Sequence, residues 1–224
     1  MPQTGRCEKI DDNRPALVFL SLMSSPDYRR AIADYIRIQA RPVDKFSHQP
    51  RLYELAKRLG AELSFDDDVL YAAAWLHDLG VFIGHRPEDP EVLATWDNVA
   101  YAVEQAPKLL RGFGFPEEKI PAVTEVIASH LPSASPSSVE GLLLRDADIL
   151  EQLGAVGILR NVSKVGRDTR FHTFSDAVAL LHRNARELPD KLTLPQARRI
   201  ARARLRVMNA FLTGAEEEAA GGLL

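Results

Sequence analysis

The stretch WLHDLG, residues 75–80, places an imidazole and a carboxylate side by side at the end of an apolar, alanine-rich run. The run extends from Val69 to Leu79 and predicts a helix, which Gly80 is placed to end. Histidine and aspartate are rarely buried unless something pairs with them. A divalent cation is one such partner, because it takes both imidazole nitrogen and carboxylate oxygen. The alternative is a helix C-terminus at which His77 caps carbonyl groups and Asp78 faces water, and the stretch alone leaves both interpretations open.

The composition is that of a soluble globular protein, with 46% hydrophobic and 26% charged residues in a chain of 224. A net charge of −3 gives no reason to expect nucleic acid or an anionic membrane as the main partner. The single cysteine, Cys7, excludes an intramolecular disulfide and a cysteine metal cluster and is typical of a reducing cytosol. The apolar run 16–23 is too short for a transmembrane helix and lacks the features of a secretory signal. We therefore expect a cytoplasmic protein without a membrane partner.

Apolar residues recur at helical spacing along most of the chain, and no stretch shows sustained strand alternation. The pattern predicts an all-α fold, with a single domain of roughly nine helices over residues 15–213. Residues 1–14 carry no pattern and are expected to form a mobile N-terminus. Residues 214–224 are of low complexity and are expected to form a flexible C-terminal tail.

Some helix boundaries are specific enough to test. Ser25 is predicted to cap a helix, with Pro26 at its first position. Residues 90–111 are predicted to form one long helix, bent at Pro107. Residues 116–130 are predicted to form the next helix.

Two further segments supply candidate metal ligands to go with His77 and Asp78. His48 lies 29 residues before His77 at the start of a predicted helix, and Asp148 lies 70 residues after Asp78 on another. Helices that meet at one point can direct such side chains into a shared interior pocket. Asp146 is a second candidate on the last helix, but residues two apart are separated by about 200° around the axis, so only one aspartate can face the metal. Helical phase alone does not choose between them.

Three ordered motifs surround these candidates. His48, followed by Arg51-Leu52 and Leu55-Ala56, is similar to an H-x-x-R-V-x-x-L-A opening, and residues 77–80 resemble an H-D-[IL]-G signature. Residues 146–154 resemble a closing D-A-D-x-L-x-x-x-G segment. Together the motifs resemble those of the HD superfamily of metal-dependent phosphohydrolases. The A-x-x-x-A-R…M-x-x-F-L pattern of residues 197–212 is similar to the last helix of the bacterial single-domain branch, so the resemblance covers about residues 26–215.

The resemblance implies a helical domain that holds one divalent metal ion (Mn, Fe, Co, Ni, Zn or Mg) with His48, His77, Asp78 and a final aspartate. The family's ligand is the aspartate after alanine, which corresponds to Asp148. Asp146 is then a buried helix-packing carboxylate or a hydrogen-bond partner of a ligand. Asp78, beside the metal, is also the candidate catalytic residue that holds the attacking water.

The chain departs from the family pattern at two places. Asp44 stands where this branch usually carries a histidine four residues before the first ligand; it is a candidate acceptor for a ligand histidine or a helix-entry acid. Dinuclear members, which include diiron oxygenases, carry two more histidines before the final aspartate, and Asn98 occupies approximately one of those positions. Only His85 and His130 are available there. We therefore expect one tightly bound metal ion.

The candidate substrate-binding residues are Arg160, Lys164 and His130. Residues 155–165 predict a short helix on which Arg160 and Lys164 share a face, so that both cations can bind phosphate; the alternative is two surface charges. His130 is either a helix C-cap or a substrate contact. The basic run 198–206 is interpreted as a solvated helix face rather than a nucleic-acid site, because helical spacing spreads its charges.

By resemblance alone, we expect a phosphohydrolase whose small-molecule substrate is a nucleotide. Two alternatives stay open, a dinuclear oxygenase on the same fold and a non-catalytic module for nucleotide sensing or protein binding. The scarcity of histidines counts against the oxygenase, and the complete ligand set counts against the module. The sequence carries no indication of an oligomeric state.

Overall fold

The computed structural model describes residues 27–167 and 171–222, and over these residues the all-α prediction is confirmed, because they form no β-strand. Ten α-helices, numbered in chain order, and four short 3-10 helices make up this part of the chain. The α-helices are α1 (Tyr28–Gln39), α2 (His48–Leu59), α3 (Asp67–Leu76), α4 (Pro90–Ala94), α5 (Asn98–Gly112), α6 (Ile120–Ala128), α7 (Val139–Glu151), α8 (Gly154–Val162), α9 (Phe174–Glu187) and α10 (Pro195–Ala219).

The centre of the molecule is α3, which packs against α1, α2, α6 and α7. Every side chain from Val69 to Leu76 is buried. The three consecutive alanines, residues 72–74, keep this helix narrow, so that neighbours can approach it from all sides. The C-terminal helices α8, α9 and α10 pack on one another, and α8 and α10 also contact α7. Helix α7 therefore joins the central group to the C-terminal group.

Helix α3 begins at Asp67, two residues before the apolar run that predicted it, and ends earlier than predicted. Asp66 caps its N-terminus by accepting hydrogen bonds from the backbone N–H groups of Asp68 and Val69. The helix ends at Leu76, and Gly80 lies in a separate 3-10 helix, Leu79–Val81, so the prediction that Gly80 ends the helix is wrong. A Cβ atom at Gly80 would lie 2.5 Å from the carbonyl oxygen of Asn98, so glycine is required here by the close approach of α5. The His-Asp pair consequently lies in the turn after α3.

The predicted single helix over residues 90–111 is also wrong. Helix α4 stops at Ala94, and α5 starts at Asn98 with Pro107 inside it. Asp97 caps α5 by accepting hydrogen bonds from the backbone N–H groups of Val99 and Ala100. A side-chain cap satisfies donors that a helix terminus leaves free, so a new helix starts at this point in the chain.

Three other boundaries differ from expectation. Helix α6 ends at Ala128, so His130 lies beyond it, and α8 ends at Val162, before Lys164. Helix α10 continues to Ala219, into the segment predicted to be a tail. The predicted N-terminal region, with Ser25 and Pro26, lies outside the described residues. The domain limits themselves therefore stay predictions.

No helix in the described ranges has both the length and the apolar character that a membrane crossing requires.

Charged side chains connect α1, α3 and the segment before α6. Arg29 lies 2.6 Å from one oxygen of Asp68, and the Lys119 ammonium lies 2.8 Å from the other. Burial alone would raise the pKa of the Asp68 carboxyl, but hydrogen bonds from Arg29, Lys119 and Tyr28 outweigh it and hold that pKa well below its usual range. The ionised carboxylate therefore stabilises the packing of three segments.

We predict that Asp68→Asn lowers the free energy of unfolding at pH 7 by about 1–3 kcal/mol, because two cations lose their charged acceptor. The folded-state pKa lies below the unfolded value of 3.8, so this stabilisation is complete above that value and is lost as the pH falls below it. Urea unfolding at pH 7 and at pH 3 measures both effects. Asp34→Asn is the matched control: its pairs with Arg30 and Arg37 are exposed, so it should cost less than about 0.5 kcal/mol. Equal losses for the two variants would contradict the prediction.

Candidate metal centre

Four side chains from two helices and from the turn after a third lie close together. His48 comes from the first residue of α2, His77 and Asp78 from the turn that follows α3, and Asp148 from α7. The Nε2 atom of His48 lies 3.4 Å from an oxygen of Asp148 and 3.7 Å from an oxygen of Asp78, and that same Asp78 oxygen lies 3.6 Å from Nε2 of His77. Helix convergence thus brings His48, His77 and Asp78 together, and it places Asp148 beside His48.

The donor set fits a divalent cation. Potential ligand atoms of His48, His77 and Asp78 all lie within 4.8 Å of one another. The Nε2 atoms of both histidines are buried and have no hydrogen-bond partner among the described residues. Leaving buried polar atoms unpaired is costly, and both Nε2 atoms lie near the same Asp78 oxygen, so this is an arrangement that a cation could complete. Two imidazole nitrogens with carboxylate oxygens suit Mn, Fe, Co, Ni or Zn.

Each imidazole is oriented through its other nitrogen. Nδ1 of His77 lies 3.0 Å from the carbonyl oxygen of Ala74, and Nδ1 of His48 lies 3.4 Å from a carboxylate oxygen of Glu151. Since both of these oxygens are acceptors, Nδ1 carries the proton in each ring and Nε2 keeps its lone pair. Metal-ligating histidines are commonly held in this way.

The electrostatics of the site favour a neutral His77 and ionised carboxylates, whereas hydrogen bonds to Asp148 and Glu151 outweigh burial and raise the pKa of His48. Burial lowers the pKa of His77 to about 4, so the ring is neutral at neutral pH, as coordination requires. Burial raises the pKa of Asp78 and of Asp148, but the neighbouring histidines and Arg160 outweigh it and bring both carboxyl pKa values below their usual range. Side-chain exposures of 22% for Asp78 and 14% for Asp148 show that the site reaches the surface beside its carboxylates.

Asp146 points to a different part of the molecule. It is fully buried, and one of its oxygens accepts hydrogen bonds from the backbone N–H groups of Thr193 and Leu194 at 2.9 and 2.7 Å. Its other oxygen lies 3.3 Å from Arg145. Asp146 therefore secures the segment that enters α10, which is the contact expected of a packing carboxylate. The position of Asp148 beside His48 supports its prediction as the metal ligand.

The three candidate substrate-binding residues differ in how they lie relative to the candidate metal ligands. Arg160 lies near the site, with Nη1 3.9 Å from a carboxylate oxygen of Glu151. Lys164 lies beyond the end of α8, so the argument that it shares a helix face with Arg160 does not hold, and its ammonium lies 5.5 Å from the centre of the Phe171 ring. Nδ1 of His130 lies 2.6 Å from the carbonyl oxygen of Ile127, a helix-end contact, while the ring lies edge-on to His77. His130 thus borders the site.

The remaining residues singled out in the sequence lie outside the cluster of ligands. His85 has both ring nitrogens engaged, by Tyr101 at 3.0 Å and by Gln39 at 2.9 Å.

Asn98 packs its backbone against Gly80, and the side chain of Asp44 lies outside the described set. In the basic run 198–206 most arginines are exposed, as predicted, but Arg204 turns inward.

Sequence analysis missed two residues that contact the candidate ligands. Glu151 is buried against His48, and Gln152 donates a hydrogen bond of 3.3 Å to Asp148. The available signal was the position of Glu151 three residues after Asp148, a spacing that returns to the same helix face. A charged residue on an otherwise apolar helix face should have been assigned a partner.

Comparison with known proteins relates the all-helical fold and its His-Asp cluster to a described family of domains. Residues 46–153 match the family model described as the HD domain, so this part of the chain is an HD domain. All four candidate ligands lie within the matched residues. Among curated proteins, no match was found.

Solved structures share the fold over most of this chain. Bacillus subtilis YpgQ matches with a TM-score of 0.64 and 26% identity, over 86% of this chain and 98% of YpgQ. A predicted HD superfamily hydrolase from an uncultured Thermotogales bacterium matches with a TM-score of 0.58 and 25% identity, over 84% of this chain and 91% of that one. The structure of YpgQ in complex with ADP matches with a TM-score of 0.62 and 23% identity, over 86% of this chain and 98% of that one.

We predict that Asp148→Asn weakens divalent metal binding by at least about a hundredfold, because losing a ligand should cost no less than losing an outer hydrogen-bond partner of one. Asp146→Asn should retain metal but lower the free energy of unfolding by about 1–3 kcal/mol, because it loses a charged acceptor at the start of α10. Isothermal titration with Mn²⁺ and urea unfolding measure the two effects. If the outcomes are exchanged, the assignment of the ligand is wrong by two residues.

Proposed function

We propose that the chain is a metal-dependent phosphohydrolase that acts on a nucleotide or a related phosphate ester or anhydride. The observation that carries the proposal is the pair of buried Nε2 atoms of His48 and His77, which lack a hydrogen-bond partner in the described part of the chain and lie near the Asp78 carboxylate, with Asp148 beside His48. When bound, a divalent cation supplies Lewis acidity toward a phosphoryl oxygen and lowers the pKa of a water molecule. The side chains of this chain would supply position, charge and proton acceptance.

Asp78 is proposed to hold the attacking water. Its carboxylate lies within 3.7 Å of both candidate histidine ligands, and it is the more exposed of the two carboxylates at 22%. An oxygen not used for metal binding can accept a proton or a hydrogen bond from water on the open side. This role is additional to ligation and uses the same side chain.

Arg160 is proposed to bind the phosphate. It is partly exposed and lies close enough to Asp78 and Asp148 to lower the pKa of both carboxyls. A guanidinium presents a planar set of donors that suits phosphate oxygens. The proposed nucleotide class is supported by the ADP complex of YpgQ, a protein with the same fold. Lys164 and His130 stay secondary candidates for substrate contact.

The residue inventory favours a single metal. His85 is engaged by Tyr101 and Gln39, so among the residues that the structure describes only His130 is available beside the proposed ligands as an additional histidine. We predict that protein purified without chelator contains about one transition metal per chain, as one N2O2 donor set implies. Elemental analysis measures this content. Two irons per chain together with an oxygen-sensitive absorption spectrum would favour the oxygenase instead.

We predict metal-dependent turnover of at least one nucleotide. The panel is a set of nucleoside mono-, di- and triphosphates and an aryl phosphate, each tested with Mn²⁺, Co²⁺, Ni²⁺ or Mg²⁺, with phosphate and pyrophosphate release resolved. His77→Ala should abolish turnover, because it removes a proposed ligand. Arg160→Ala should raise KM by about tenfold or more, the usual effect of losing a hydrogen bond to a charged group.

The matched control for Arg160→Ala is Arg199→Ala, an exposed arginine of α10, which should leave KM unchanged. An unchanged KM in Arg160→Ala would remove the phosphate role from that residue. No turnover of any substrate by metal-replete protein would favour the sensing module, and nucleotide-induced thermal stabilisation would then test it.

A further inference from the structure

We propose that Glu151, which accepts hydrogen bonds from Arg51, is a positioning residue that orients His48 for metal binding. The inference rests on the proposed metal centre, since it explains how one of the centre's ligands is oriented. It assigns a role to a buried carboxylate that would neither bind the metal nor touch the substrate. The supporting geometry involves α2, α7 and α10.

The contact between Glu151 and His48 is buried on both sides. The side chains of Glu151 and His48 are only 3% and 5% exposed, and Nδ1 of His48 lies 3.4 Å from Oε2 of Glu151. The opposite nitrogen, Nε2, is the one directed at Asp78 and Asp148. A buried acceptor on Nδ1 therefore determines both the tautomer and the rotation of the ring.

Arg51 holds the same carboxylate oxygen that faces His48. Its Nε and Nη2 atoms lie 3.1 and 2.9 Å from Oε2 of Glu151. Because Arg51 lies three residues after His48 on α2, both side chains project from the same helix face toward α7. The guanidinium of Arg51 therefore holds the Glu151 carboxylate in place, and this carboxylate in turn orients the imidazole of His48. This gives the spacing between His48 and Arg51 a physical reason.

Helix α10 closes the other side of Glu151. Nη1 of Arg204 lies 3.9 Å from Oε1 of Glu151, and the same guanidinium donates to the carbonyl oxygen of Leu150 at the end of α7. Gly154 permits this approach: its φ is +71°, and a Cβ atom there would lie 2.9 Å from Cβ of Arg204. Arg204 therefore faces the site region while most of its basic neighbours face solvent.

These contacts predict which property changes when the carboxylate is lost. Without it, Nδ1 of His48 loses its only buried carboxylate acceptor among the described residues, and Arg51 loses the oxygen that it grips. The ring can then adopt orientations in which Nε2 no longer points at Asp78 and Asp148. The affinity of the centre for metal should fall, because fewer molecules present the ligand correctly.

The test is Co²⁺ titration of chelator-treated protein, followed by visible absorption and by calorimetry. Glu151→Gln keeps the size of the side chain but removes the charge, and it should weaken Co²⁺ binding by about 10–100-fold and alter the visible spectrum. Asp146→Asn is the matched control, another fully buried acid of α7 that contacts the start of α10 instead of the site. It should lower the melting temperature but leave the Co²⁺ affinity within about twofold of wild type.

Glu151→Asp and Arg51→Lys provide a test of the proposal even if Glu151→Gln does not fold. Glu151→Asp retains the charged acceptor and should recover part of the affinity, whereas Arg51→Lys loses the fork and should weaken Co²⁺ binding by about threefold or more. Wild-type affinity in folded Glu151→Gln and Arg51→Lys would overturn the positioning role alone. Failure of the wild-type protein to bind Co²⁺, Mn²⁺ or Ni²⁺ would overturn the proposed metal centre and this inference together.

Discussion

Two buried imidazole nitrogens that have no hydrogen-bond partner within residues 27–167 and 171–222 impose the main constraint on this structure. Nε2 of His48 faces the carboxylates of Asp78 and Asp148, Nε2 of His77 faces that of Asp78, and each ring is oriented through Nδ1. Such an arrangement is unfavourable in an apolar interior unless a cation binds there. The surrounding helices must therefore be rigid enough to hold polar groups in an orientation that the protein alone leaves unsatisfied.

The central helix supplies much of that rigidity. All residues of α3 from Val69 onward are buried, and its alanines allow α1, α2, α6 and α7 to approach it closely. The helix stops at Leu76, so His77 and Asp78 leave it at a turn that Gly80 packs against the backbone of Asn98. Because this turn is fixed at both ends, the His-Asp pair has little freedom to move. The position of the His-Asp pair therefore depends on the apolar packing of α3 against its neighbours.

Sequence periodicity predicted the all-α class, and the resemblance of three ordered motifs to those of the HD superfamily implied which residues would converge as ligands. Periodicity failed where side chains act across or between helices. The break before α5 depends on a cap by Asp97, and Gly80 is explained only by a contact with Asn98. The ambiguity between Asp146 and Asp148 could not be settled from helical phase, because the deciding partners, Thr193 and His48, lie on distant segments.

Helix α7 shows how one element serves two purposes. Asp146 projects to the segment that begins α10 and stabilises the junction of the two helix groups. Asp148 and Glu151, three residues apart, project to the other side, where both lie within 3.4 Å of His48. A helix places side chains two apart on opposite faces and side chains three apart on the same face. Spacing within the D-A-D-x-L-E segment, residues 146–151, thereby separates a structural acid from the two acids that contact His48.

The charges around His48 also bear on the kind of molecule that the site can accept. The carboxylates of Asp78, Asp148 and Glu151 are matched in number by the guanidiniums of Arg51, Arg160 and Arg204, all within the same region. The protein groups therefore nearly cancel one another, and a bound divalent cation would leave the region positive. A positive, partly enclosed site attracts anions and strengthens their binding relative to water. This charge balance supports the proposal of a phosphate-containing substrate.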